Sequence, residues 1–96
     1  MGLSPLLQAR RDEIRRIAAC HGAHNLRVFG STVRGEETAD SDIDILIDLA
    51  QGRSLLDIIA LKQDLEDLLG RHVDVVTNEA ISPYLRETVL SEAVEL

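Results

Sequence analysis

The chain has 96 residues, a net charge of −7 and an apolar fraction of 45%, with Phe29 and Tyr84 its only aromatic residues. That length suits one small domain with a single core, while so few aromatic side chains and a net acidic charge argue against a surface that stacks on bases or grips a phosphate backbone. A single cysteine, Cys20, rules out a disulfide within the chain, and no apolar run approaches the length of a membrane span, so a cytoplasmic domain without a targeting segment is expected.

Ser4-Pro5 reads as a helix cap followed by proline at the first helical position. The apolar residues Leu7, Ile14, Ile17 and Ala18 then share one face of a helix that runs to about His21 and stops at Gly22. Arg10, Arg11, Arg15 and Arg16 lie beside Asp12 and Glu13 on the other faces, which reads as a solvated surface with local ion pairs rather than a basic docking site. Asn25 to Phe29 is predicted as a first strand and Ile43 to Leu49 as a second. Ser54 caps a helix whose Leu55, Ile58, Ile59, Leu61, Leu65, Leu68 and Leu69 cover most of its circumference, so it is buried on more than one side or meets a partner. Gly70 ends it. Arg71 to Thr77 forms a third strand, interrupted by Asp74. Ser82-Pro83 starts a last helix, and 93–96 either completes it or adds a short edge strand. The order points to an α/β fold: a small mixed sheet of three or four strands flanked by helices. Only one helical turn fits between the first two strands, so they should be antiparallel neighbours.

The segment 28–49, VFGSTVRGEETADSDIDILIDL, carries the chemistry. Gly30 permits close approach of a ligand to the backbone, and Ser31 offers a hydroxyl and an amide at the start of a turn, a seat for a phosphate oxygen. Asp42 and Asp44, two apart on an extended chain, aim their carboxylates to one face about 7 Å apart. Like charges held so close repel, and a hard divalent cation makes the arrangement favourable. Phosphate seat and paired carboxylates together describe a Mg-nucleotide site. Gly-Ser, ten residues, then Asp-x-Asp arises by chance in roughly one chain in a thousand of this length. A third carboxylate is needed for a second ion and for the proton of the attacking hydroxyl. Asp48 lies about 13 Å along the strand from Asp44, too far to share an ion. Asp74 is the better candidate, because a carboxylate inside an otherwise apolar strand calls for a partner.

These residues, with Arg34-Gly35 and the downstream run Leu68-Leu69-Gly70-Arg71-His72-Val73-Asp74-Val75-Val76, resemble the minimal nucleotidyltransferases of the DNA polymerase beta-like superfamily over nearly the whole chain. The resemblance implies that Gly30 and Ser31 hold the β and γ phosphates of ATP and that Asp42 and Asp44 bind two Mg²⁺ ions. Asp74 would complete the shell of the catalytic ion. Arg34 would steady phosphate charge, or else pair with Glu36 or Glu37 at the surface. The implied reaction is attack of an acceptor hydroxyl on the α-phosphate with release of pyrophosphate. The resemblance further implies pairing with a small all-helical HEPN ribonuclease toxin, which the chain would silence as its antitoxin by transferring AMP to a tyrosine. Two other readings remain open at this point: an antitoxin that neutralises its partner by contact alone, and a transferase for a small-molecule acceptor. His21, His24 and His72 have no metal-ligand spacing with Cys20, and Tyr84 is expected to pack in the last helix.

Overall fold

A computed structural model describes residues 4–30, 33 and 42–96. It contains helices α1 (Pro5–Ala9) and α2 (Arg11–Cys20), strands β1 (Ala23–Phe29) and β2 (Ile43–Leu49), helix α3 (Leu55–Leu69), strand β3 (Val73–Thr77), helix α4 (Pro83–Glu92) and the short strand β4 (Val94–Glu95). The four strands form one mixed sheet in the order β3-β2-β1-β4. β1 runs antiparallel to both β2 and β4, while β2 and β3 are parallel and joined through α3. The expected α/β fold with a small mixed sheet and helical flanks is therefore present, including the antiparallel β1–β2 pair.

β2 shows how the sequence sets the layers. Its residues alternate faces, and Ile43, Ile45 and Ile47 are all fully buried. They meet Leu7, Ile14 and Ala18 of the N-terminal helices and Leu61, Leu65 and Leu69 of α3 in one apolar cluster with Val28 and Val73. Asp44, Leu46 and Asp48 point the other way. Leu46 is fully buried there as well, outside the main cluster.

The ends of α3 follow from local chemistry. Ser54 Oγ accepts from the Leu56 N–H at 3.3 Å, and the Asp57 carboxylate accepts back from the Ser54 N–H at 2.9 Å, a reciprocal cap. Gly70 closes the helix at φ 67°, the left-handed geometry that glycine adopts freely.

Three expectations change. The N-terminal helix is two helices, because Arg10 leaves helical geometry (φ −105°, ψ 9°) between them while Leu7 and Ile14 both remain in the core. α3 is not buried on several sides: Leu61, Leu65 and Leu69 face the core, whereas Leu55, Leu56 and Ile59 in its first turns are exposed. Tyr84 is 93% exposed rather than packed, because the Ser82 cap and Pro83 start α4 just before it and place it in the outward first turn. Among the described residues, no helix is long and apolar enough to cross a membrane.

Candidate active site

The site is assembled where β1 ends and β2 and β3 begin. Gly30 follows the last residue of β1 with φ 82°, a conformation L side chains rarely adopt. A Cβ at this position would collide with Oδ2 of Asp44. Gly30 is thus glycine for two reasons, the backbone angle and the close approach of a carboxylate. The Val33 N–H donates to the Gly30 carbonyl at 3.1 Å, and Val33 itself is buried.

Asp44 lies between Phe29 on β1 and Asp74 on β3 in the pairing register. Side-by-side residues of parallel neighbours share a face, and the strands are about 4.8 Å apart. The sheet therefore sets Asp44 and Asp74 next to each other, with Asp42 two residues earlier at the mouth of β2. The Ile43 N–H donates to the His72 carbonyl at 2.9 Å and locks the two strand starts together. Asp42 and Asp74 are exposed and Asp44 is half-buried.

Contrary to expectation, Asp74 does not interrupt a buried run. β3 is the edge strand of the sheet, and after Val73 its residues are exposed or only partly buried, so Asp74 stands on an open face without the cost of a charge in the core. What distinguishes it is the register with Asp44. Asp48 serves the strand pairing instead. It accepts from Asn25 Nδ2 at 2.9 Å, and Asn25 holds a left-handed backbone (φ 52°) where the β1–β2 register shifts. Ser31, Arg34 and the spacer between them and Asp42 lie outside the described residues.

A divalent cation fits this donor set by chemistry. Three hard oxygen donors share one end of the sheet, and the place a Gly30 side chain would take is filled by the Asp44 carboxylate. Among the described residues, no three acidic, imidazole or thiol groups converge on a single point.

Two features of this region escaped sequence reading. Lys62, the only lysine, donates to Glu66 at 2.8 Å, and Glu66 also accepts from the Val73 N–H at 3.1 Å and meets His72 Nδ1 at 3.2 Å. The Lys62 hydrogen bond, the Val73 amide and the His72 contact hold the Glu66 carboxyl down at about 2 against an ordinary 4.5. The Lys62 ammonium is raised above its ordinary value, chiefly by the bond to Glu66, with smaller contributions from the negative charge of Asp74 and Asp42. The chain's one lysine is therefore within electrostatic reach of the site. The i, i+4 spacing of Lys62 and Glu66 signalled a helix-surface pair, but not its place beside β3. The second feature is Glu92, at the end of α4, which accepts from the Gly30 N–H at 3.1 Å; a separation of 62 residues leaves no local signal.

Residues 11–96 match the profile of the family described as nucleotidyltransferase domain. The chain is 41% identical over 92 residues to the protein adenylyltransferase MntA of Thermococcus cleftensis, covering 96% of this chain and 90% of that one. A solved structure of a candidate minimal nucleotidyltransferase is 49% identical and superposes with a TM-score of 0.87 over 100% of this chain and 97% of its own. A mutant of the toxin–antitoxin complex MntA–HpeT contains a chain that is 26% identical, with a TM-score of 0.73 over 90% of this chain and 70% of that one. A glycine turn packed on one of two aligned aspartates, at the open end of this sheet, agrees with these likenesses: the chain belongs to the nucleotidyltransferase domain family.

Proposed function

We propose that this nucleotidyltransferase transfers AMP from ATP, with Mg²⁺, to a tyrosine hydroxyl of a HEPN-type ribonuclease toxin and thereby acts as its cytoplasmic antitoxin. The observation that carries the reading is the register of Asp44 with Asp74 beside Gly30. Asp42 and Asp44 would hold the two ions, with Asp74 completing the shell of one of them. Bound Mg²⁺ would neutralise charge on the α-phosphate and make the acceptor hydroxyl more acidic. Gly30 and Ser31 cradle the outer phosphates, and Arg34 adds positive charge to them. The acceptor oxygen forms a bond to the α-phosphorus, its proton passes to Asp74, and the bond from that phosphorus to pyrophosphate breaks. The resemblance to MntA of Thermococcus cleftensis, named a protein adenylyltransferase, supports a protein acceptor.

The test is incubation of the protein with a HEPN-type toxin, Mg²⁺ and ATP labelled at either the α or the γ phosphate. Label should reach the toxin from the α position only, and the Asp42→Asn, Asp44→Asn double variant should transfer none. Label from neither position, with the toxin still silenced, would replace this reading by neutralisation through contact. The exposed Leu55, Leu56 and Ile59 of α3 and Tyr84, Leu85 and Leu90 of α4 offer apolar surface to a protein partner under either reading.

A further inference from the structure

β1 and β4 pair through Arg27 with Glu95 and Val28 with Val94. Continued by two residues, that register would set Gly30 opposite Glu92. The backbone ladder cannot extend so far. Glu92 is the last residue of α4, and the Ala93 N–H is committed to the helix, donating to the Val89 carbonyl at 2.9 Å. In place of a strand carbonyl, the Glu92 carboxylate accepts the Gly30 N–H at 3.1 Å. A charged acceptor makes this a stronger bond than the ladder bond it replaces. Gly30 is thus held on two sides: its α-carbon packs against the Asp44 carboxylate and its amide is drawn to the C-terminal end of α4.

We propose that Glu92 is a positioning residue for nucleotide binding, a side-chain extension of the sheet that holds the Gly30 turn in place against Asp44. The proposal rests on the nucleotidyltransferase reading of the site. It gives α4, which has no fully buried residue, a specific connection to the chemistry: displacement of the helix would be felt at the turn that receives the phosphates.

Glu92→Ala and Glu92→Gln test this in the full chain, because the glutamine amide oxygen can still accept the Gly30 N–H. Hydrogen exchange at the Gly30 amide, followed by NMR, should accelerate about tenfold in Glu92→Ala, as for loss of one charge-assisted bond, and clearly less in Glu92→Gln, whose neutral amide oxygen still accepts the bond. Calorimetric titration with Mg²⁺ and AMP-PNP should show about tenfold weaker binding for Glu92→Ala and recovery in Glu92→Gln. A purely structural role would instead lower the melting temperature and leave the affinity of the folded protein unchanged. Tighter nucleotide binding by Glu92→Ala would overturn the proposal, because the carboxylate would then be a competitor for the phosphate seat. Unchanged Gly30 exchange would overturn it as well. Wild-type protein that binds no Mg-nucleotide would sink the functional reading itself, an outcome the Gly30 exchange distinguishes from an absent Glu92 bond.

Discussion

The two faces of β2 carry different kinds of residue. Ile43, Ile45 and Ile47 are sealed under helices, while Asp44 and Asp48 occupy the opposite side around Leu46. The residue-by-residue alternation of a strand lets one seven-residue segment serve both the core and the site. Stability and chemistry are therefore predicted to respond to different substitutions only one position apart.

The largest separation is expected for Asp44→Asn. Transfer should fall roughly a thousandfold, since a carboxylate central to the proposed ion shell is lost. The melting temperature should change by far less than the activity, because asparagine keeps the size and polarity of the side chain on the half-buried face of β2. A melting temperature that collapses with activity would mean that Asp44 is a structural residue. Its neighbour gives the converse. Ile45→Ala should cost about 3 kcal/mol in denaturant unfolding, while transfer per folded molecule changes little. Gly30→Ala should break the separation: a positive φ costs about 1–3 kcal/mol for a residue with a side chain, and the new methyl group must displace the Asp44 carboxylate. Both the unfolding midpoint and the transfer rate should drop together.

Away from β2 the effects are smaller. The Glu66 carboxyl sits at about 2 in the fold against an ordinary 4.5. Its contribution to stability is full above the unfolded value and is lost as pH falls toward the folded one. The melting difference between wild type and Glu66→Gln should be steady near neutrality and shrink between pH 4.5 and about 2. A difference that grows on acidification would contradict the pairing with Lys62. Smallest of all, Leu56→Ser at a 76% exposed position should move stability by less than about 0.5 kcal/mol. If toxin neutralisation nonetheless weakens in that variant, the first turns of α3 belong to the partner surface.

Local signals made much of this legible in the sequence. Ser54 and Gly70 bracket α3 because caps are chemical necessities at helix ends, and the alternation in IDILID marks β2 because it records two environments. The place of Gly30 at the end of β1 and of Asp44 on the outer face of β2 was readable for the same reason. What the sequence did not disclose depends on which strand neighbours which. Asp74 looked like a charge in a core strand until β3 proved to be an edge, and Glu92 had no visible relation to Gly30 until β4 was placed beside β1. The break at Arg10 was hidden because both flanking segments keep a helical period. The surplus apolar residues of α3 gave no sign of whether a core or a solvent-exposed face received them.

The contact between Gly30 and Asp44 carries a consequence for how such a chain can diverge. An asparagine at position 30 would tolerate the left-handed backbone, yet its Cβ would still strike the carboxylate. Any side chain at position 30 therefore requires the Asp44 carboxylate to turn away from the place it holds, so the two positions are physically coupled. On the proposed reading, a substitution at position 30 would thus reach the ion site through the carboxylate it displaces, without its own side chain touching substrate.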